Sequence, residues 1–407
     1  MKLLPFLRLG TGAGLALGLL GCWGHSDHGP WVYEAVNTQA YAVAVADLNG
    51  DGKLDLVSTS PGPGFVSVDL QSSTTAGSFL DPVRSSAGLN PTAFVVASFS
   101  GFNSPGLAVV NPQVGVNPNP ANGVSVLLPD PATPGGFLAP VTLAVGSRNP
   151  CGVAVSDPAA SGTPFVAVAA DGGSDALVFF QGASAGTFGS ATSVPAGGQP
   201  TAVAVADLNG DGYPDLVVAT AGSSISVILQ DAANPGSFLA PVSYPVGTGP
   251  VAVVVADLNG DKLPDLVVVN GGTPSAPTSQ GITVLLQNPA MAGSFLAGVS
   301  YPVGDYVSNW VAVADLNGDG KPDLAVANQG LPGQPGSVAI LLQNPASAGA
   351  FQAPVLYPGL VGPTWVAIGD LNGDGLPDLA VADGGIYVLP QVQSAPGTFG
   401  APVGFLR

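Results

Sequence analysis

The sequence has few positively charged residues and almost no histidine. Its 407 residues include 8 Lys and Arg against 26 Asp and Glu, which gives a formal net charge of -18. Binding to nucleic acid requires clustered cations that neutralise the phosphates, so we expect no nucleic-acid partner. The two histidines, His25 and His28, both precede the repeats described below. A Ser-His-Asp or Cys-His catalytic site, or a zinc bound by histidine, is therefore not expected in the folded domain.

The N-terminus has the pattern of an export signal. Lys2 and Arg8 are followed by an apolar run, Leu9–Leu20, and then by Gly and Cys22. The run is too short and too rich in glycine to span a bilayer, which takes about 20 mainly apolar residues. The tetrapeptide Leu-Leu-Gly-Cys that ends at Cys22 resembles a bacterial lipoprotein signal. An ordinary secretory signal or an uncleaved anchor is the alternative.

This pattern predicts where the mature chain begins and where it is located. We expect residues 1–21 to be a signal peptide, Cys22 to be the lipidated first residue, and residues 22–30 to form a tether. The lipid would be the only membrane attachment, and the protein would be exported to the cell envelope, at the outer membrane, periplasm or cell surface. Lipidation would leave Cys151 without an internal disulfide partner, since the chain has 2 Cys. Cys151 is interpreted as a buried structural thiol.

A repeat of about fifty residues runs through most of the chain. The run V-A-V-A-D-L-N-G-D-G-x-x-D-L places repeat anchors at Asp47, Asp207, Asp257, Asp315 and Asp370. The long interval between the first two anchors contains two degenerate copies, with anchors at Ser98 and Asp157. The sequence therefore contains seven repeats.

Each repeat contains four short segments with strand character. In one repeat they are Ala202–Ala206, Leu216–Ala219, Ile225–Leu229 and Ala240–Tyr244, with Gly and Pro between them. The first segment is apolar on both faces, as expected of a strand that is covered on both sides. The pattern predicts an all-β fold, a seven-bladed β-propeller of four-stranded antiparallel blades over residues 31–407. An open solenoid of seven units is the alternative.

Five repeats carry the same acidic loop after the first segment. Oxygen-bearing side chains occupy positions 1, 3, 5 and 9 of the loop, and position 6 is Gly in four copies, as a calcium loop requires. We expect about five calcium ions, with a solvated acidic turn as the alternative. The predicted metal ligands are Asp47, Asn49, Asp51, Asp55, Asp207, Asn209, Asp211, Asp215, Asp257, Asn259, Asp261, Asp265, Asp315, Asn317, Asp319, Asp323, Asp370, Asn372, Asp374 and Asp378.

Two details qualify the calcium prediction. Position 12, where an EF-hand needs an acid, is Ser58 or Val in the five copies, so a helix-loop-helix site is not expected. In the third intact copy Lys262 replaces the glycine at position 6. A residue with a Cβ is strained there if the backbone needs a positive φ, so we expect the weakest site in this loop.

The acidic loop, the strand that follows it and the segment Gly397–Pro402 together resemble the FG-GAP/VCBS repeat family. This family includes the propeller of integrin α chains and many bacterial surface proteins. The resemblance covers about residues 31–407 and implies a seven-bladed propeller with calcium in hairpin loops. The loops Ser98–Gly106 and Asp157–Phe165 depart from the pattern and are expected to bind no calcium.

Antiparallel order would place the acidic loops and the Q-x-P-x-x-x-G-x-F turns on one face of the disc. Loops of variable length would lie on the opposite face, which is the usual place for recognition on a rigid scaffold. They are Asn111–Asn122, Gly271–Gln280, Asn328–Gly336 and Gly304–Asn309. On that face Trp310 and Trp365, near Tyr306 and Asn309, are candidate ligand contacts for a sugar ring or a peptide side chain, with packing in the channel as the alternative.

These features favour a monomeric, exported, calcium-binding propeller that acts as a binding or scaffold module, in adhesion or in recognition of a glycan or protein. The ligand is expected to be an extracytoplasmic protein or glycan. A polysaccharide lyase or hydrolase is the alternative, but the few Lys and Arg residues are scattered over different repeats. A third hypothesis makes calcium itself the signal that stiffens the propeller.

Overall fold

The structure, a computed structural model, describes residues 40–405 except 63, 76, 101, 103, 113–122, 273–280, 305–306 and 331–333. Within these residues 28 β-strands form seven sheets of four strands each. Every sheet is antiparallel and consists of four strands that are consecutive in the chain. The described residues contain no helix that is long and apolar enough to cross a membrane. The predicted signal peptide, Cys22 and the tether lie outside the described residues.

The seven sheets are numbered as blades 1 to 7 in chain order. Blades 1 to 3 are formed by β1 Val43–Ala46, β2 Asp55–Ser60, β3 Phe65–Asp69, β4 Val83–Ser86, β5 Ala93–Ala97, β6 Gly106–Asn111, β7 Gly123–Leu127, β8 Val141–Leu143, β9 Asn149–Val155, β10 Phe165–Asp171, β11 Asp175–Phe180 and β12 Thr192–Pro195. Blades 4 to 7 are formed by β13 Pro200–Ala206, β14 Asp215–Thr220, β15 Ser224–Ile228, β16 Val242–Pro245, β17 Pro250–Ala256, β18 Asp265–Asn270, β19 Gly281–Leu285, β20 Val299–Tyr301, β21 Ser308–Ala314, β22 Asp323–Asn328, β23 Gly336–Leu341, β24 Val355–Leu360, β25 Trp365–Gly369, β26 Asp378–Ala382, β27 Ile386–Leu389 and β28 Val403–Phe405.

Burial decreases from the inner to the outer strands of a blade. All six residues of β14 are buried, and in β13 only the last residue is partly exposed. The fourth strand β16 is exposed at three of its four residues. The inner strands are apolar on both faces because neighbouring blades cover both sides, which confirms the prediction from the sequence.

The seven blades form a closed ring. Strand β1 of blade 1 contacts β25 and β26 of blade 7. The Thr364 hydroxyl donates a 2.6 Å hydrogen bond to the Tyr41 carbonyl across this junction. The C-terminal strand β28 pairs with β27 and completes blade 7, as expected. These contacts exclude the open solenoid. The segment Trp31–Val36, the other candidate for ring closure, lies outside the described residues.

The two faces of the disc differ in the lengths of their connections. On one face, eight residues join the first strand to the second in six blades and nine in blade 3, and thirteen residues join the third strand to the fourth in six blades and eleven in blade 3. On the opposite face, the connections between second and third strands vary from three residues to eleven. We call these the loop face and the variable face.

Blades 4 to 7 are also joined near the rim by tyrosine–phenylalanine pairs. Tyr244 of β16 packs edge-to-face on Phe295 of blade 5, with ring centroids 5.6 Å apart, and its hydroxyl oxygen accepts a hydrogen bond from the Phe295 N–H. The same contact recurs as Tyr301–Phe351 and Tyr357–Phe399. Edge-to-face rings are a favourable aromatic geometry, so each pair fixes one outer strand against the next blade.

Candidate functional site

The five acidic loops on the loop face share one backbone geometry. In the first, Oδ1 of Asp47 accepts hydrogen bonds from the N–H groups of Gly50 and Asp51, and Oδ2 accepts one from Gly52. Oδ1 of Asn49 also accepts one from the Asp51 N–H at 2.8 Å. The loops that begin at Asp207, Asp257, Asp315 and Asp370 repeat this arrangement. In each loop, therefore, the backbone wraps around the carboxylate of the first aspartate.

The ninth position of each loop holds a fully buried aspartate. In blade 4, Oδ2 of Asp215 accepts a hydrogen bond from the Leu208 N–H at 2.9 Å, and Oδ1 accepts one from the Gln230 N–H at 2.7 Å. Gln230 begins the turn between the third and fourth strands, so Asp215 ties the acidic loop to that turn. Asp55, Asp265, Asp323 and Asp378 make the same two bonds.

Burial shifts the ionisation of these aspartates. Desolvation, opposed by the two backbone hydrogen bonds, raises the pKa of Asp215 to about 7. The neighbouring carboxylates Asp211 and Asp207 add a smaller increase of the pKa by charge repulsion. The pKa values of Asp265 and Asp323 rise to about 6 for the same reasons. Burial therefore favours the protonated form of these ninth-position aspartates.

Lys262 has the strained backbone expected from its position. Its φ is 70°, and no other non-glycine residue in the described part of the chain has a positive φ. The glycines at the equivalent position, Gly52, Gly212, Gly320 and Gly375, have φ between 81° and 88°. An L-residue with a side chain adopts this region only at an energetic cost, so the loop of blade 5 is formed against local strain.

A set of four glutamines, which the sequence alone did not identify as functional, connects four of the five acidic loops to the next blade. The side-chain amide of Gln287 donates one hydrogen bond to the Leu208 carbonyl of blade 4 and another to the Pro264 carbonyl of its own blade. Gln343 and Gln391 bridge the following blades in the same way, and Gln71 connects blade 1 to Leu371 of blade 7. The sequence signal for these bridges is the regular recurrence of Gln before the G-x-F motif.

The turn of one blade also packs closely on the acidic loop of the preceding blade. A Cβ added at Gly349 of blade 6 would lie 3.2 Å from Cβ of Asn259, the third loop position in blade 5. Gly293 and Gly397 have the same relation to Asn209 and Asn317, at 3.2 and 3.1 Å. The acidic loops therefore belong to the contacts between blades, and a change in loop conformation would reach the neighbouring blade.

The oxygen donors of the loops fit the chemistry of calcium, which prefers hard carboxylate and carbonyl ligands. In the part of the chain that the structure describes, however, no three carboxylate, imidazole or thiolate groups gather as a metal-binding cluster. The carboxylates instead accept hydrogen bonds from loop amides, as at Asp47 and Asp51. Calcium would be held by the side chains at positions 1, 3, 5 and 9, and its binding remains a prediction.

The corresponding loops of blades 2 and 3 lack the acidic set. In blade 3 the hydroxyl oxygen of Ser156 accepts a 2.7 Å hydrogen bond from the Phe165 N–H, and Asp157 caps only its own turn through Ala159. The Ser161 N–H donates to the carbonyl of Gly212 in the acidic loop of blade 4. These interactions close the loop without a carboxylate at the ninth position.

The candidate ligand contacts on the variable face are buried. Trp310 on β21 and Trp365 on β25 stack on each other with ring centroids 3.8 Å apart, and they are 0% and 4% exposed. The Asn309 side chain is buried beside them and donates to the Pro363 carbonyl at 3.4 Å. This arrangement fits the packing interpretation of the two indoles, and their contact with a ligand remains untested. Tyr306 lies outside the described residues.

Cys151, at the start of blade 3, is buried as expected. Its sulfur lies 3.4 Å from the Ala169 carbonyl oxygen and 3.5 Å from the Pro200 carbonyl oxygen. The expectation that Cys151 has no internal disulfide partner stays a prediction. Cys22, the predicted lipidation site, lies outside the described residues.

The fold and the repeated loops define a seven-bladed β-propeller built from acidic-loop repeats. The FG-GAP-like repeat matches residues 162–218, 207–268 and 315–381, and the FG-GAP repeat matches residues 40–78. Together these matches cover more than half of the chain, which belongs to the FG-GAP repeat family. A propeller of this family suggests a binding or recognition module. Curated protein sequences gave no match.

Solved structures support the fold. A protein of Bacteroides uniformis ATCC 8492, described as a candidate 6-phosphogluconolactonase, matches with 17% sequence identity and a TM-score of 0.53, over 95% of this chain and 98% of its own. At this identity the likeness shows a shared architecture alone, because propellers with the same fold carry unrelated functions.

Proposed function

We propose that this protein is an exported binding or scaffold module of the cell envelope, attached through a lipid at Cys22. Its five acidic loops bind about five calcium ions, and its variable face recognises an extracytoplasmic protein or glycan, as in adhesion. The protein acts as a monomer, and its role is recognition rather than catalysis.

One observation carries the recognition proposal: loop length is nearly constant on the loop face and varies on the variable face. The connections between second and third strands have eleven residues in blade 2 and ten in blade 5, but three in blades 3, 4 and 7. Surface loops that vary on a rigid scaffold are the usual carriers of binding specificity. Most residues of the two longest connections, 113–122 and 273–280, lie outside the described residues.

The calcium proposal is supported by the repetition of one donor set. Four oxygen-bearing side chains, three of them aspartates, recur at the same positions in five loops with one backbone geometry. Like charges a few Å apart repel by about 1 to 4 kcal/mol per pair at effective dielectric constants of 80 to 20. A bound dication would relieve this repulsion in each loop.

The cationic residues that a polysaccharide-acting enzyme would need have structural partners. Nζ of Lys53 donates to the Ser72 carbonyl at 2.7 Å, and Nζ of Lys321 lies 3.4 Å from the Pro345 carbonyl. Arg148 pairs with Asp175 at 3.7 Å, and the Arg84 guanidinium lies 4.9 Å from the centre of the Phe65 ring. These four side chains are in different places rather than around one substrate, which favours binding over catalysis.

A binding array tests the recognition proposal. The mature chain, in millimolar calcium, is applied to envelope glycans and surface proteins, and selective retention is expected. A variant with residues 273–280 replaced by Asn-Gly, a tight hairpin turn, should lose this retention. Met291→Gln, an exposed change on the loop face of the same blade, is the matched control and should bind normally. Retention no greater than that of an unrelated propeller, or loss in the control alone, would contradict the proposal.

A further inference from the structure

All five acidic loops contain an Asn-Gly pair at their third and fourth positions. The pair has the same neighbours in each copy, in the order Leu-Asn-Gly-Asp. Asn-Gly pairs are prone to spontaneous loss of the side-chain amide, because glycine has no Cβ to hinder attack by its backbone nitrogen. With identical neighbours, the five pairs should react at the same rate in an unfolded chain. They begin at Asn49, Asn209, Asn259, Asn317 and Asn372.

The reaction begins with attack of the glycine nitrogen on the asparagine side chain. In blade 1, the backbone nitrogen of Gly50 would lose its proton and form a bond with Cγ of Asn49. The Cγ–Nδ2 bond breaks, and Nδ2 leaves as ammonia with that proton. Water then opens the cyclic succinimide at either carbonyl. Opening at one carbonyl gives aspartate, and opening at the other gives isoaspartate, whose backbone is longer because it passes through the side-chain methylene.

In the folded loops both reacting groups are engaged in hydrogen bonds. The Gly50 N–H donates to Oδ1 of Asp47 at 2.6 Å. Oδ1 of Asn49 accepts a bond from the Asp51 N–H at 2.8 Å, which fixes the position of the side-chain amide. The other four copies make the same two bonds. A loop must therefore open before the ring can form, so the rate in the folded protein depends on the free energy of local opening.

In the acidic loops of blades 4 to 7, opening must also break contacts with the next blade. A glutamine of that blade donates to the carbonyl of the second loop residue, as Gln343 does to Leu258. A glycine of the same turn packs on the asparagine, since a Cβ added at Gly349 would lie 3.2 Å from Cβ of Asn259. The loops of blades 4, 6 and 7 have equivalent contacts, from Gln287 and Gly293, from Gln391 and Gly397, and from Gln71 and Gly77.

Blade 2, as far as the structure describes it, does not hold the acidic loop of blade 1 in this way. The residue that corresponds to the glutamine is Pro129, which occupies the same place in the turn. Proline has no side-chain amide that could donate to the Leu48 carbonyl. At the corresponding glycine, Gly135, the three atoms nearest to an added Cβ belong to Leu70 and Val68 rather than to the asparagine. Solvent exposure does not separate the copies, since all five asparagines are half-buried.

We propose that Asn49 is the preferred deamidation site among the five acidic loops of the folded protein. The net contribution of one hydrogen bond corresponds to a factor of about 2 to 10 in an opening equilibrium, and the glycine contact adds to it. Asn49 should therefore react about tenfold faster than the other four asparagines. Isoaspartate at this position would disrupt the acidic loop of blade 1 alone. If the loops bind calcium, as proposed above, one site would be lost; the reaction itself does not depend on calcium.

Peptide mapping of the aged protein by mass spectrometry tests the proposal. The mature full-length chain is incubated with a chelator at mildly alkaline pH, so that bound calcium does not add to the protection of any loop. Deamidation and isoaspartate are measured in each Asn-Gly peptide, and the pairs at Asn122 and Asn270, which lie outside the acidic loops, are scored separately. The same incubation in denaturant should give equal rates for the five loops. In the folded protein, Asn49 should react about tenfold faster than the other four.

A variant tests whether the contacts with the next blade control the rate. Gln343→Leu removes the donor to the acidic loop of blade 5 and should raise the deamidation rate of Asn259 by up to about tenfold. Asn209 and Asn317 are internal controls, and their rates should change less. Gln352→Ala, which removes an exposed amide of the same turn, is the matched variant and should leave the rate at Asn259 unchanged.

Two outcomes would overturn the proposal. Equal rates for the five loops in the folded wild type would show that the next blade does not control loop opening. The same conclusion would follow if all five asparagines accelerated equally in a Gln343→Leu protein that circular dichroism shows to be folded, because deamidation would then proceed through global unfolding. If this variant does not fold, the comparison of the five loops in the wild type decides.

Discussion

The side-chain amide of Gln343 in blade 6 donates a 2.7 Å hydrogen bond to the carbonyl of Leu258, the second residue of the acidic loop in blade 5. The same amide donates to the Pro322 carbonyl of its own blade at 3.1 Å. One side chain therefore connects the acidic loops of two neighbouring blades. Because this connection recurs at four of the seven junctions between blades, these acidic loops are part of the structure that holds the blades together.

Replacement of this bridge should destabilise the ring. Gln343→Leu leaves the carbonyls of Leu258 and Pro322 without their donor in a buried site, at a cost of about 2 to 4 kcal/mol in the free energy of unfolding. Unfolding in denaturant measures this loss in the free energy of unfolding. Gln352→Ala removes an exposed amide in the same turn, with one bond to the Gln343 carbonyl, and should cost less than about 1 kcal/mol. Equal effects of the two changes would show that the bridge between blades contributes nothing.

Calcium should raise the melting temperature. Extracellular sites with dissociation constants of about 10⁻⁴ to 10⁻³ M would each stabilise the folded state by roughly 0.4 to 1.4 kcal/mol in millimolar calcium. Thermal scans of the mature protein with calcium and with a chelator measure the difference. Asp319→Asn, at an exposed fifth loop position, should reduce the calcium-dependent shift by about one site's share. An unchanged melting midpoint would contradict the proposal that the loops bind calcium and that calcium stabilises the protein.

The strain at Lys262 predicts a stabilising substitution. Lys262→Gly should increase the free energy of unfolding by about 1 kcal/mol, because glycine adopts a φ of 70° without the clash of a Cβ. It should also strengthen calcium binding in blade 5, which isothermal titration can measure. The reciprocal control is Gly320→Lys, where φ is 81° and an added Cβ meets nothing within 4 Å. If that variant were as stable as the wild type, backbone strain would not be the cause.

The stacked indoles should act through packing. Trp310→Ala would empty a fully buried site and lower the free energy of unfolding by about 3 to 5 kcal/mol. Trp310→Phe should lower the free energy of unfolding by less, and this variant should still be retained on the binding array. Leu296→Ala, at a side chain that is 46% exposed on the rim, is the control and should change stability little. A ligand that bound wild type but not the folded Trp310→Phe protein would instead support the contact role.

Cys22 and Cys151 provide a test of the membrane anchor. The chain has 2 Cys, so a lipid on the Cys22 sulfur excludes a bond between the two residues. If the anchor proposal is right, the N-terminal peptide of the natively produced protein carries a lipid mass. Cys22→Ser should then move the protein from the membrane fraction to the soluble one. A non-reducing peptide map that joins residues 22 and 151 would rule out the lipid, and Ser26→Pro is a control that should leave the protein on the membrane.

Much of the candidate site follows from the sequence because it is local. The ligand set of one loop lies within nine residues, and the hydrogen bonds within the loop, such as Gly50 to Asp47, connect residues at most seven positions apart. The strain at Lys262 follows from the glycines at the same position in other copies. Such features repeat with the sequence, so one pattern predicts all five.

The contacts between blades could not be obtained in this way. Gln343 and Leu258 are 85 positions apart, and Gln71 reaches Leu371 across 300 positions. Likewise, the positions of Trp310 and Trp365 in the sequence do not show whether the two rings face solvent or stack on each other.

The sequence by itself determined the number of blades, the four strands in each and the conformation of the acidic loops, since these depend on neighbours along the chain. Only the tertiary structure decided that the ring closes with β28 in blade 7, that Trp310 stacks on Trp365, and that glutamines connect the loops of adjacent blades. The reason is that these arrangements depend on how complete blades pack together, and residues far apart in the chain become neighbours only when the ring is formed.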